Sequence, residues 1–172
     1  MATLPPNVEK GVFFVHVTRE IDAPVDKAWD VLTDLSKYHE WNPFVRSMTI
    51  VNASKEEDAD QTLAEGKYLL MKCHIPPTMD DSARNQAPLE LVKVVDGVNH
   101  RLSWVNVDYP SFALRAERWQ TLTAAGDGKS KYETWEVFNG VLAYFVKFFM
   151  EKSLRRSFDG FADGLKAQSE RS

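Results

Sequence analysis

Residues 141–169 read VLAYFVKFFMEKSLRRSFDGFADGLKAQS. Leu142, Phe145 and Phe149, then Leu154, Phe158, Phe161 and Leu165, recur at intervals of three and four residues, which sets them along one side of a long amphipathic helix. Gly140 immediately precedes the pattern and releases the chain into it. At about 1.5 Å per residue, such a helix is long enough to lie across a whole sheet. What it covers has to come from the residues before it.

Those residues read as strands. Residues 89–95, 101–107, 114–123 and 130–138 are extended runs separated by Asp96-Gly97-Val98-Asn99, Asp108-Tyr109-Pro110 and Gly126-Asp127-Gly128, and connections this short favour antiparallel hairpins. Upstream, residues 45–51 and 67–75 are also extended, with the solvated break SKEEDADQ at 54–61 between them, and GVFFVHVTREI at 11–21 is the first strand. Between the first two strands, Asp22 is an N-cap candidate and Pro24 a first-turn proline, followed by Val25, Ala28, Trp29 and Leu32 at helical spacing. Residues 35–41 add a second short helix, which Asn42-Pro43 ends because the residue before proline is pushed out of the helical region. Strand, two short helices, six strands and a long helix predict an α+β fold, a seven-stranded antiparallel sheet covered by the C-terminal helix. The stretch 76–88 interrupts two strands with three prolines and three charged residues, and is a candidate lid over a pocket.

With 172 residues, 44% apolar and 12% aromatic, the chain is expected to form one domain over 1–172, with MATLPPNVEK at 1–10 as a flexible leader. Twenty-one Lys and Arg against 25 Asp and Glu give a net charge of -4. Without a basic block, nucleic acid is not an expected partner. The single cysteine, Cys73, cannot form an intrachain disulfide. That fits a reducing, cytoplasmic setting, and no stretch reaches the roughly 20 apolar residues of a stable membrane insertion. Monomer and homodimer are both left open.

Residues 21–34, IDAPVDKAWDVLTD, and 38–44, YHEWNPF, carry the run I-x-A-P-x-x-x-x-W-x-x-L-x-D followed by Y-x-x-W-N-P. With Leu102-Ser103-Trp104 and Gly140, this resembles the SRPBCC superfamily and its polyketide cyclase/dehydrase-like branch over about residues 13–168. The resemblance implies a START-like, helix-grip fold: a curved sheet wrapped around the long helix, enclosing a hydrophobic cavity for an apolar or aromatic small molecule. It does not single out one activity, because that superfamily includes cyclases, lipid carriers, hormone receptors and oxygenase subunits. The oxygenases need an iron site, whereas His16, His39, His74 and His100 lie on separate elements without facial-triad spacing. No metal and no cofactor are therefore expected.

A four-residue loop at 125–128 would pair Ala124 with Lys129, and the ladder would set Glu117 opposite Glu136, Trp119 opposite Thr134 and Thr121 opposite Tyr132 on one face. Arg118, Gln120 and Trp135 would then meet solvent. On this register Glu117 and Glu136 are the candidate catalytic residues, since desolvation and mutual repulsion would keep one protonated. A shift of one residue would separate them, and Arg115 could neutralise them. The candidate ligand contacts are Trp41 and Phe44, Met71 on an inward face with Leu69, Cys73 and Ile75, Trp104 and Asn106, then Trp119, Tyr132 and Thr134, and Phe145 and Phe149. His74 is expected to point outward. Tyr144, Phe145, Phe148 and Phe149 form an aromatic surface that could grip the sheet, close the pocket, or meet a membrane or a second copy. Two functional readings stay open: a cofactor-free cyclase or dehydratase acting on a polyketide-type substrate, and a non-catalytic carrier of a lipid, sterol, quinone or metabolite. The polarity of the pocket wall separates them.

Overall fold

Alternation of side chains across the pleat builds the inner face. In strand β1, Phe13–Ile21, the residues Phe13, Val15, Val17 and Ile21 are buried while Phe14, His16 and Thr18 face outward. The computed structural model describes residues 10–171, so the leader expected at 1–10 lies outside the described residues apart from Lys10. After β1 come helix α1 (Val25–Thr33), a 3-10 turn (Leu35–Lys37) leading into α2 (Tyr38–Trp41), and strands β2 (Val45–Val51) and β3 (Tyr68–Cys73). Strands β4 (Leu89–Asp96), β5 (Arg101–Asn106), β6 (Arg115–Gly126) and β7 (Lys129–Asn139) follow, and then helix α3 (Val141–Ser169). The strands form one antiparallel sheet in the order β1-β7-β6-β5-β4-β3-β2. Strands β1 and β2 are thus opposite edges, and the short helices carry the chain from one edge to the other. The curled sheet gripping α3 is the helix-grip architecture.

The core lies under the second half of α3. Leu154, Phe158, Phe161 and Leu165 are buried against Val15, Ile50, Leu69, Leu102, Leu122 and Tyr132 of the sheet and Leu32, Tyr38 and Trp41 of the short helices. Phe161 meets the Tyr38, Trp41 and Tyr132 rings at centroid distances of 5.9, 5.4 and 6.2 Å. Asp22 does not cap α1: Pro24 holds the cap position without a side-chain bond, and the Asp22 amide instead donates to Glu170 Oε1.

The β6–β7 hairpin departs from the four-residue loop expected at 125–128. Gly126 pairs with Lys129 across a two-residue turn in which Asp127 and Gly128 have φ of 49° and 73°, as a type I′ turn requires. A bulge between Ala124 and Gly126 then sets Ala124 opposite Ser130, and down the ladder Gln120 meets Thr134, Trp119 meets Trp135, Arg118 meets Glu136 and Glu117 meets Val137. The pairings expected for Glu117, Trp119 and Thr121 are therefore wrong by one residue. Arg118 and Gln120 turn inward, while Glu117 and Trp119 turn to the outer face, where Trp119 joins Val94, Trp135 and Val137 in a separate apolar cluster. His74 is not exposed as expected. It is 1% accessible, with Nδ1 2.8 Å from the Thr78 carbonyl, under the 76–88 segment.

Candidate active site and ligand cavity

The first half of α3 does not close onto the sheet. Between them lies a cavity of about 540 Å³, within the range of pockets for small organic ligands. Phe44, Met71, Cys73, Trp104, Ala116 and Phe138 line it from the sheet side, and Phe145, Val146, Met150 and Leu154 from the helix. The end of the expected lid contributes Gln86, Ala87 and Pro88. The rest of that segment is pinned beside the cavity: the Thr78 amide donates to the Pro43 carbonyl, and Arg46 donates to Asp81 Oδ1 and the Asn42 carbonyl.

Onto this apolar wall four neighbouring strands bring Glu90 (β4), Asn106 (β5), Arg118 (β6) and Glu136 (β7). Register makes them two opposed pairs, Glu90 with Asn106 and Arg118 with Glu136. Asn106 Nδ2 donates to Glu90 Oε1 at 3.1 Å, while Glu90 Oε2 is buried without a partner among the described residues. Arg118 Nε donates to Thr134 Oγ1 at 3.2 Å, and its Nη2 is likewise unpartnered. The guanidinium rests on Phe158 and Phe161 at 4.3 and 4.4 Å, with Phe44 and Trp104 each 5.8 Å away, so ring quadrupoles offset part of its desolvation.

Burial raises the Glu136 carboxyl to about 7, against the opposing pull of the Arg118 charge. Glu90 is pushed well above the ordinary carboxylate range by burial first and by the charge of Glu136 second, with the Asn106 hydrogen bond acting the other way. The wall thus carries two carboxyls whose protonated forms burial favours, beside the Arg118 side chain. Burial also pushes up the Cys73 thiol, which argues against a thiolate nucleophile.

Of the residues singled out from sequence, Phe44, Met71, Trp104, Asn106, Glu136 and Phe145 lie on the cavity wall. The others lie elsewhere. Glu117 is on the outer face, where it accepts from Trp119 Nε1 at 2.9 Å and pairs with Arg115. Trp119 is buried in the outer cluster. Trp41 packs in the core and borders a separate cavity of about 140 Å³ beside Gln168. Tyr132 donates to Gln120 Oε1 at 2.7 Å beneath Phe161, and Thr134 positions Arg118 from behind the wall. Phe149 is 65% exposed. Sequence reasoning misses Glu90 and Arg118 as site residues; the signal for Glu90 is its two-residue spacing from Val92 on the buried face of β4.

The sequence matches the family described as polyketide cyclase / dehydrase and lipid transport over residues 13–170. No curated protein is matched. Among solved structures, the fold is similar to a hypothetical protein from Helicobacter pylori, with a TM-score of 0.72, 14% identity and coverage of 98% of this chain and 99% of that one. It is also similar to the ZhuI aromatase/cyclase from Streptomyces sp. R1128, at a TM-score of 0.69 and 11% identity over 92% of this chain and 93% of that one. A START superfamily protein from Mycobacterium smegmatis aligns at a TM-score of 0.62 and 13% identity, over 91% and 97% of the two chains. The family match takes in all seven strands and the whole of α3, and on it the protein belongs to the polyketide cyclase / dehydrase and lipid transport family.

Proposed function

We propose that the protein binds an apolar, carbonyl-bearing small molecule of polyketide type in the cavity and catalyses its cyclisation and dehydration without a cofactor. One observation carries this reading: Glu90, Glu136 and Arg118 line a single apolar volume, and Glu90 Oε2 and Arg118 Nη2 are buried beside it without a hydrogen-bond partner among the described residues. A purely structural ion pair would satisfy those atoms.

In the proposed sequence, ionised Glu136 takes a proton from a carbon flanked by carbonyls, and Arg118 Nη2 donates to the enolate oxygen that forms. The enolate carbon attacks a second carbonyl, closing a carbon–carbon bond, and protonated Glu90 delivers its proton to the resulting alkoxide. Glu90, now a carboxylate, removes the remaining proton from the carbon that attacked, and Glu136 returns its own to the departing hydroxide, releasing water. Both carboxyls end as they began. The cavity adds to this by holding a flexible chain in a folded conformer.

The test is turnover of poly-β-ketone thioester mimics by the Glu136→Gln and Glu90→Gln variants. Loss of at least ~100-fold in kcat is expected, the scale of general acid–base catalysis, with binding of the same mimics retained. Full activity in both variants would remove the proposal. A carrier reading is favoured by the apolar character of most of the wall. Native mass spectrometry supports it if a lipid or quinone copurifies and exchanges with free ligand. A cytoplasmic site of action is part of the same proposal, supported by the free, buried Cys73.

A further inference from the structure

The first three turns of α3 hold an unusual surface. Val141, Leu142, Tyr144, Phe145, Phe148 and Phe149 are 40–82% exposed, and the helix as a whole is not apolar enough to cross a membrane. Phe149 packs on Phe145 and Phe148 at 4.5 and 4.8 Å, so the rings form one patch rather than scattered side chains. Phe112, 75% exposed, extends it, because the Val141 and Leu142 amides donate to the Phe112 and Ala113 carbonyls at 3.2 and 2.8 Å. Contiguous exposed apolar area of this kind marks an interaction site.

We propose that this patch docks the protein on an anionic lipid bilayer, with the cavity mouth turned toward the membrane. Two observations select that occupant. Leu142, Phe145 and Tyr109 are at once exposed and part of the cavity lining, so the patch is the rim through which an apolar ligand passes. The charge is of one sign: residues 141–156 carry Lys147, Lys152, Arg155 and Arg156 against Glu151 alone, in a chain of net charge -4. Glu151 is taken by Arg155 at 2.6 Å, and Lys147, Lys152 and Arg156 have no ion-pair partner among the described residues. Lys152 and Arg156 follow Phe148 and Phe149 on the same helix face, one to two turns on.

An aromatic tip with a cationic collar suits the headgroup and acyl boundary of an anionic surface, where the rings insert shallowly and each cation adds attraction. A second copy fits less well. An isologous contact through this patch would set cations against cations, with Glu151, the one carboxylate of residues 141–156, already paired to Arg155.

The full chain is tested by sedimentation with vesicles of phosphatidylcholine containing one quarter phosphatidylglycerol, and with phosphatidylcholine alone, at ~0.1 M salt. Strong binding to the anionic vesicles only is expected, and release at ~0.5 M salt. Both Phe112→Ser/Phe148→Ser and Lys147→Glu/Lys152→Glu should weaken it by about tenfold or more. All four side chains point into solvent, so the folded state is retained, which circular dichroism checks. Absence of binding to either vesicle overturns the proposal, as does binding indifferent to both double substitutions. A concentration-dependent dimer that Phe112→Ser/Phe148→Ser dissolves, in the absence of vesicle binding, also overturns it and assigns the face to a second copy.

Discussion

Replacing Glu136 by glutamine should change how stability depends on pH, because its carboxyl ionises at about 7 in the fold and near 4.5 in the unfolded chain. The folded state therefore binds the proton more tightly. The stabilisation is complete below about 4.5 and is lost as the pH climbs through about 7. At about 1.4 kcal/mol per pH unit, the gap corresponds to roughly 3 kcal/mol. The variant has no such titration, so wild type minus variant stability should fall by about 3 kcal/mol between pH 4 and pH 8, whatever the amide does to packing. Glu90 does not cancel: without the Glu136 charge it is pushed up less in the variant, which adds to the fall, so about 3 kcal/mol is the lower bound. With a urea m-value of about 2 kcal/mol per molar, the two unfolding midpoints should move by about 1.5 M relative to each other. A difference that stays flat across this range would mean Glu136 is hydrated and ordinary, and the acid/base reading would fall with it.

Other substitutions probe the remaining parts of the site. Arg118→Met should drive the Glu136 midpoint above about 7, since the guanidinium is the one group pulling it down; carbon-13 NMR of the labelled carboxyl reports it, and an unmoved midpoint would mean that Arg118 does not act on Glu136. Glu117→Gln should leave turnover of the ketone mimics within about twofold, because its carboxylate lies on the outer face beside Arg115; a large loss would contradict the register. Gly140→Ala should cost roughly 1–3 kcal/mol and lower the thermal midpoint by several degrees, because Gly140 has φ of 95° and an added Cβ would lie 2.6 Å from the Ala113 carbonyl oxygen. A calorimetric midpoint equal to wild type would show that the junction of β7 and α3 can relax.

Elements with a strong period were legible and faces were not. The extent of α3 at 141–169 and of β2 at 45–51 follows from the sequence to the residue, because Gly140 and Asn42-Pro43 punctuate the chain before them and apolar side chains recur within them. The β6–β7 faces defeat the same reasoning. Inward Ala116 and Leu122 share their face with Arg118 and Gln120, and outward Trp119 shares its face with Glu117, Thr121 and Thr123, so hydrophobicity does not choose clearly between them. The turn had a signal, since Asp127-Gly128 is the two-residue pair a type I′ hairpin prefers. The bulge after Ala124 had none, and it is the bulge that moves Glu117 away from Glu136. Alternation breaks where a sheet carries chemistry, because a polar wall residue looks like a surface one.

The same conflict between packing and chemistry explains the two halves of α3. Phe158 and Phe161 in the second half are fully buried and also form the bed on which Arg118 lies. Any loosening there would release the guanidinium as well as the core. In the first half only Ala143 is fully buried, Val146 and Met150 pack against the core from the cavity side, and the rings beyond them stay in solvent. A cavity beneath it and an exposed outer face leave this half with less support than the second.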